Sequence, residues 1–322
     1  MGKLKIGLFG VGHLGKIHLK CLQKTDFEIV GVYDPDPEVQ RYISENYGLT
    51  IFDSADSLMV EVDAVDIVST TITHFEIAKR AIKLGKHAFI EKPVCATLEQ
   101  AKALIEAKLK TGVKVQIGHV ERYNPAIISL KDRKVSPKFI EGHRLTTFNT
   151  RGNEVSVMLD LMIHDLDLVL LLVQSNVKDV QANGVCVVND TPDICNARIT
   201  FENGCVANLT ASRISMKQMR KLRVFQENEY ISIDFLKKES QIVKLEDLED
   251  RDENQFMTIN TASGKKILNI EIPEIIENNA IVDELNDFYN AIQNDLKVSV
   301  DLEAGMKALD LAFRIEEEIG RR

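Results

Sequence analysis

The sequence predicts an α/β protein in two parts. A parallel sheet wrapped by helices comes first, and a second α/β domain on a mainly antiparallel sheet follows. Three observations carry this. Residues 1–120 alternate strand-like and helix-like segments. After them, strand follows strand with short turns between. The charge is also divided unevenly: residues 1–120 hold 15 Lys+Arg and 15 Asp+Glu, so the rest carries all of the net −9. Alternation at this pitch implies right-handed βαβ crossovers and a parallel sheet. Strands joined by two-residue turns imply antiparallel neighbours.

Residues 4–9 read as a short apolar strand, 13–24 as a helix and 27–33 as a second strand. Residues 37–47 form a helix with Asp36 placed to cap it. A buried strand at 64–69, a helix at 75–84, a strand at 86–90, a helix at 98–111 and a strand at 113–117 complete the first domain, residues 1–120. In the second, 121–322, one long apolar helix spans 157–173. Strand-like runs follow at 180–188, 195–201, 205–211, 221–226, 230–235 and 241–245, with Asn203-Gly204 as a hairpin turn. The acidic run 246–253 reads as a solvated loop. Helices at 281–292 and 303–319 close the chain.

Composition bounds the function. A length of 322 residues suits two domains, and 44% hydrophobic with 28% charged residues is globular. The acidic total argues against a nonspecific nucleic-acid binder. Cys21, Cys95, Cys186, Cys195 and Cys205 are odd in number and contain no C-x-x-C pair. They suggest a reducing compartment, with neither a disulfide framework nor a metal site expected. The longest apolar run, 168–173, is far short of the roughly 20 residues of a membrane span. Residues 4–9 enter a strand directly, without signal-peptide architecture. A soluble, cytoplasmic protein with no membrane or nucleic-acid partner is the expectation.

Gly10-Val11-Gly12-His13-Leu14-Gly15 fits G-x-G-x-x-G at the end of a strand and the opening of a helix. The first glycine permits the turn, the second lets backbone approach a pyrophosphate, and the third lets helix and strand pack closely. Free N–H groups and the positive dipole end at the helix N-terminus favour phosphate. This is the fingerprint of a Rossmann dinucleotide-binding domain. Asp34 ends the second strand, where an acid accepts from the ribose hydroxyls and repels a 2′-phosphate. Asp36 adds repulsion and no Arg follows closely, which favours NAD over NADP. The alternative for Asp34 is a turn residue before Pro35.

Glu91-Lys92-Pro93 follows a strand at the carboxyl edge of the sheet, where ligands of open α/β sheets bind. Proline fixes the next torsion, so Lys92 is aimed and becomes a candidate acid/base. On the apolar helix 157–173, Asp160, His164 and Asp167 fall within about 60° of one another at about 100° per residue. Titratable groups on a buried stripe need partners. They form either a site or a self-satisfied Asp–His pair.

Together these residues resemble the glucose-fructose oxidoreductase / inositol dehydrogenase (Gfo/Idh/MocA) family along the whole chain. The resemblance rests on the glycine fingerprint, Ser69-Thr70-Thr71 through His74, Gly85-Lys86-His87 into Glu91-Lys92-Pro93, and Asp160-x-x-x-His164. It implies a C-terminal α/β domain with an open sheet and a nicotinamide-dependent oxidation of a sugar or cyclitol hydroxyl. Thr70, Thr71, His74, Glu91 and Lys92 join Gly10, Gly12, His13, Leu14, Gly15 and Asp34 as cofactor-site residues. Lys92, Asp160 and His164 become the catalytic set. Met162 stands where many members have glycine, and Thr71-Ile72-Thr73 where Pro-Asn is common. His164, with an ordinary pKa of about 6.5, suits the role of base; Lys92, near 10.4, orients or relays, and the division between them stays open.

His119, Arg122 and Tyr123 sit on the sheet edge and could face substrate, while Asn124-Pro125 reads as an N-cap with a first-turn proline. Arg122 could equally bridge the domains. Arg213, Lys217, Arg220, Lys221 and Arg223, with Arg144 and Arg151, form a basic island. It is either charge on an edge strand or a clamp for an anionic substrate. The motif neighbourhoods resemble members acting on UDP-N-acetylglucosamine-type sugars at the 3-hydroxyl. Alternatives are a cyclitol dehydrogenase, a non-catalytic NAD(P)-binding regulator, and a reductase of imine or enol-ether substrates. A homodimer or homotetramer through the exposed sheet face is expected.

Overall fold

The computed structural model describes residues 2–148, 155–248, 255–262 and 264–321. By contacts the chain divides into two compact units, Met1–Tyr123 with Asn278–Asp310, and Asn124–Glu277 with Leu311–Arg322. The first unit thus recruits a segment from far along the chain, which a division at residue 120 leaves with the second.

In the first unit, β1 (Lys5–Phe9), α1 (His13–Leu22), β2 (Glu28–Tyr33), α2 (Pro37–Tyr47), α3 (Ala55–Glu61), β3 (Ala64–Ile67), α4 (Thr71–Lys83), β4 (His87–Glu91), α5 (Leu98–Thr111) and β5 (Val115–Gly118) follow in order. All five strands are parallel, in the order β2-β1-β3-β4-β5. The order reverses beside β1, so the switch point where ligands bind such sheets falls at the glycine turn. Asp36 caps α2 as expected, accepting from the Glu38 N–H at 2.9 Å. The helix α3 was not expected; its signal is the reciprocal Ser54/Ser57 capping box, too short to show a hydrophobic period.

The second unit holds α6 (Pro125–Ile128), β6 (Phe139–Leu145), α7 (Ile163–Val173), β7 (Val177–Val185), β8 (Ile194–Phe201), β9 (Val206–Ser212), β10 (Met219–Gln226), β11 (Glu229–Asp234), β12 (Glu239–Asp247), β13 (Thr258–Thr261) and β14 (Gly264–Glu271). Among the described residues the sheet is nine-stranded, β13-β14-β12-β11-β10-β6-β9-β8-β7. Only the β6–β9 pair is parallel. Asn203-Gly204 makes the β8–β9 turn, with Gly204 at φ 85°. Glu246 and Asp247, expected in a loop, end β12, where Lys266 pairs with Asp247 at 3.2 Å. The rest of that run, from 249, lies outside the described residues, as does Arg151. The strands β6, β13 and β14 were not anticipated; β6 carries a glycine, a histidine and two charged residues, which weaken the apolar alternation.

The chain closes with α8 (Ala280–Gln293) and α9 (Leu302–Gly320). Leu285 and Phe288 of α8 are fully buried against Ile6, Phe27, Ala64 and Phe89. Leu311, Ala312 and Ile315 of α9 join the second core, with Leu166, Val169, Ala197 and Leu209. Burial of a phenylalanine is worth several kcal/mol, so α8 is part of the first unit's core despite its distance in sequence. Phe288→Ala is expected to lower the unfolding free energy by about 3–5 kcal/mol, read in urea-induced unfolding.

Candidate active site

The glycine turn is built by close approach. Gly10 has φ 88°, and a Cβ there would lie 2.5 Å from the Ser69 Cα. A Cβ on Gly15 would lie 2.1 Å from the Gly10 carbonyl oxygen. Gly12 differs: its φ is −62°, and a Cβ would meet no protein atom within 4 Å. Neither backbone nor protein packing demands glycine at that position, whereas a pyrophosphate lying on the N-terminus of α1 would. His13 and Leu14 open that helix and are exposed.

Asp34 is buried and bonded into the turn. Its carboxylate accepts the Val11 N–H at 2.8 Å and the Asp36 N–H at 2.9 Å. It therefore ties the end of β2 to the fingerprint, beyond the ribose role or the simple turn role read from sequence. A second helix N-terminus, that of α4, follows β3. Thr70 is its exposed N-cap and Thr71 its half-buried first residue. His74 on α4 is buried, its nitrogens 3.0 Å from the carbonyls of Ser69 and Pro93. Burial pushes its pKa below the ordinary value. It joins the loops after β3 and β4, acting on the site through backbone.

Glu91 ends β4 and Lys92 is the first residue beyond, its side chain half-buried and its bond to Pro93 cis. The Glu91 carboxylate accepts the Lys92 N–H at 3.1 Å and faces His18 Nε2 at 3.0 Å. His18 Nδ1 faces Asp66 at 3.0 Å. His18 and Asp66 were not anticipated from sequence. The available signal was an acid inside the otherwise apolar run 64–69, and buried charges occur in pairs. Burial opposes a charge on His18, but the two carboxylates outweigh it and hold the imidazole pKa well above its usual value. Glu284 of α8 completes the cluster; burial, then repulsion from Glu91 and Asp66, push its pKa well up.

His119 is buried and its backbone N–H donates to the Ile117 carbonyl at 2.8 Å. Arg122 donates to the Ser299 carbonyl at 3.3 Å. The Tyr123 hydroxyl donates to Asp287 at 2.8 Å and accepts from Gln116 at 3.3 Å. Burial and then the Asp287 charge push its pKa far up, so it acts as a neutral donor.

In the second unit, the helix expected at 157–173 is broken in character. Met158–Met162 is π-helical and Ile163–Val173 is α-helical. Angles counted at a constant α-helical step therefore do not describe Asp160 relative to His164, and π-turns are frequent at functional sites. Asp160 and His164 are half-buried, while Asp165 and Asp167 are buried. Arg144 of β6 clamps Asp165 with bonds of 2.7 and 3.0 Å. Ser156 accepts the Leu159 N–H at 3.3 Å and bonds Glu316 of α9, holding the start of the π-turn. Arg213, 5% exposed, donates to the Val155 carbonyl at 2.7 Å, just before that turn. Asn124 is the N-cap of α6, as expected, accepting the Ala126 N–H at 3.1 Å.

The basic island is dispersed. Arg144 serves Asp165, Lys221 pairs with Asp234 at 3.2 Å, and Arg223 pairs with Glu141 at 2.7 Å. These three pair with neighbouring acids, one on α7 and two on the sheet, which favours charge balance over a phosphate clamp. Lys217 is exposed.

A parallel sheet with its glycine turn at the switch point, and a lysine on the carboxyl edge, define a dinucleotide-dependent oxidoreductase scaffold. The comparisons agree. The family model described as "Oxidoreductase family, NAD-binding Rossmann fold" matches residues 4–119, and the GFO/IDH/MocA C-terminal domain matches 133–232. The chain belongs to the Gfo/Idh/MocA family of oxidoreductases. It is 36% identical over 97% of its length, and 96% of the relative's, to a UDP-N-acetylglucosamine 3-dehydrogenase of Acidithiobacillus ferrooxidans. A solved structure of that activity from the same organism has a TM-score of 0.89 at 35% identity, covering 99% of this chain and 98% of that one. A scyllo-inositol 2-dehydrogenase (NAD(+)) of Bacillus subtilis is 27% identical over 66% of this chain and 68% of its own.

Gly12→Ala is expected to leave the melting temperature of the free protein within a degree or two. It should weaken binding of the nicotinamide dinucleotide by tenfold or more, about 1.4 kcal/mol, in a fluorescence titration. Gly15→Ala should lower the melting temperature itself.

The folded chain also holds protons on His18 and Glu284 that the unfolded chain releases near their ordinary values. Both pKa values are raised, so this stability is present at low pH and is lost as pH rises through the folded values. Glu284→Gln removes one such proton. Thermal melts between pH 6 and 9 should show its advantage over wild type growing with pH.

Proposed function

We propose that this protein is an NAD-dependent dehydrogenase that oxidises the 3-hydroxyl of UDP-N-acetylglucosamine or a closely similar nucleotide sugar. One observation carries the reading: the near full-length similarity to a dehydrogenase of that substrate, in both sequence and fold. The preference for NAD is supported by Asp34. Its carboxylate, bonded to Val11 and Asp36, sets negative charge beside the fingerprint, where a 2′-phosphate would be repelled.

Gly10, Gly12 and Gly15 with the N-terminus of α1 would hold the pyrophosphate, and Thr70 and Thr71 would line the path from it. When bound, NAD supplies the hydride acceptor. In this reading the role of His164 is to take the proton of the reacting hydroxyl, that of Lys92 is to orient or relay, and that of Asp160 is to orient His164 or a substrate hydroxyl. His119, Arg122 and Tyr123 serve the substrate side through the backbone and donors they hold in place. Arg213 supports the substrate side by fixing the chain ahead of Asp160.

The supporting features extend to the state of the protein. No helix among the described residues is long and apolar enough to cross a membrane. Five free cysteines suit a reducing, cytoplasmic setting. Phe139, Phe225 and Tyr230 stack across β6, β10 and β11 on the sheet face opposite Ile140 and Val224. An apolar ladder on that face supports a homodimer or homotetramer.

Purified protein with NAD should produce absorbance at 340 nm with UDP-N-acetylglucosamine and not with myo-inositol or scyllo-inositol. Turnover with inositol alone would reverse the substrate assignment, and turnover with none would favour a regulator. With the active substrate, His164→Ala should reduce kcat by about 10²–10⁴-fold, the usual range for loss of a general base.

A further inference from the structure

Four ionisable side chains meet in the interior of the first unit, and the chemistry above employs none of them directly. His18 comes from α1, Asp66 from β3, Glu91 from β4 and Glu284 from α8. His18, Asp66 and Glu284 are fully buried and Glu91 is 7% exposed.

We infer that His18 is a positioning residue. As an imidazolium donating from both nitrogens, it fixes the Glu91 carboxylate, and through it the backbone from which Lys92 projects. The inference rests on the reading of Lys92 as a residue at the reacting hydroxyl.

The geometry requires two donors. Nδ1 lies 3.0 Å from Asp66 and Nε2 lies 3.0 Å from Glu91. Ionised carboxylates only accept, and a neutral imidazole has one N–H. A neutral ring would set one nitrogen lone pair against a carboxylate oxygen in a buried site, a polar mismatch of about 1–3 kcal/mol. Protonation satisfies both contacts and leaves Asp66, His18 and Glu91 with a single net negative charge. Glu284 has no hydrogen-bond partner at either oxygen, and it is stable there as a neutral acid. Among the described residues, Lys92 next to Glu91 and Asp287 on α8 beside Glu284 are charged groups acting on the cluster, and the titratable His74, Cys21 and Tyr123 also face it.

Glu91 is also seated from below. A Cβ on Gly118 of β5 would lie 2.7 Å from Glu91 Oε1 and 2.9 Å from its Cδ, so glycine there leaves the carboxylate its space. With His18 on one side, Gly118 beneath and the Lys92 N–H bonded at 3.1 Å, the carboxylate has one position. Lys92 begins at that position. His18 lies on the same helix as the glycine turn, less than two turns from its start. The residues that would hold the pyrophosphate and the lysine at the chemistry are thus referred to one rigid element, and precise catalysis requires such support behind the residues that touch substrate.

A cation is the competing occupant. Ligand atoms of His18, Glu91 and Glu284 lie within 4.8 Å of one another. A metal on Nε2 would need that nitrogen's lone pair, and the ring would keep a single N–H, toward Asp66. The two readings differ in one proton and can be told apart.

The test uses two amides. In His18→Asn the amide nitrogen stands near the place of Nδ1 and keeps the Asp66 bond. In His18→Gln it reaches the place of Nε2 and keeps the Glu91 bond. Expected is a loss of about tenfold or more in kcat for Asn, recovery to within about threefold of wild type for Gln, and a KM for NAD little changed in either, the pattern of lost transition-state alignment. Parallel losses of kcat in both variants, matched by their melting temperatures, would reduce His18 to a structural role and overturn the inference. Lys92→Ala is assayed alongside: undiminished turnover there would overturn the assignment of Lys92 itself, whatever the His18 variants do. In ¹⁵N spectra of the wild type, the His18 ring, identified by its loss in His18→Gln, should show two protonated nitrogens at pH 8. A single tautomer, or one zinc per chain in elemental analysis, would overturn the doubly donating state.

Discussion

An imidazole held between two buried carboxylates is the interaction on which the first unit depends. A charge in a protein interior is tolerated only with its counter-charges and donors in place. His18 must therefore sit where Asp66 and Glu91 both reach it, at 3.0 Å each. That condition joins α1 to β3 and β4 by directional bonds, where apolar packing alone would allow the helix to slide. The fingerprint turn at the head of α1 and the Glu91-Lys92-Pro93 segment at the end of β4 then keep a fixed relation. His74 adds a second tie at the carboxyl edge, from Ser69 to Pro93.

The cofactor half of the fold works with backbone more than with side-chain charge. Two helix N-termini, those of α1 and α4, face the edge where β1 and β3 end, and Asp34 spends both carboxylate oxygens on backbone N–H groups nearby. This explains a first domain with no basic excess that is nevertheless built for a doubly charged ligand. In the second unit charge is used differently. Arg223 pairs with Glu141 within the sheet, and the buried Arg144 pairs with the buried Asp165 on α7. The π-turn at Met158–Met162, held by Ser156 and Glu316, gives Asp160 a helical step different from that of the α-helix that follows.

The parallel sheet, the glycine turn, the cap at Asp36 and the apolar helix at 157–173 were legible in sequence because each is a local pattern. Period, capping residue and turn residue lie within a few positions of one another. The strand β6 was hidden because Glu141, Gly142, His143 and Arg144 break its alternation; the buried Arg144 is tolerated only because Asp165, some twenty residues on, neutralises it. The basic island looked like one surface in the one-dimensional chain. In the folded sheet, alternate residues of β10 meet acids on both neighbours, β6 and β11, and the cluster dissolves into pairs.

What the sequence by itself determined is the class of the protein. The dinucleotide fingerprint, the Glu91-Lys92-Pro93 motif and the Asp160/His164 segment are short-range patterns, legible within a few positions of the chain. Only the tertiary structure decided which groups keep those residues in place. Asp66 and His18 are 48 positions apart, and Glu284 is nearly two hundred beyond Glu91. No periodicity connects such positions. What connects them is the cost of leaving any one of them charged and alone in the interior, a cost that is visible only when the chain has folded and shown which are neighbours.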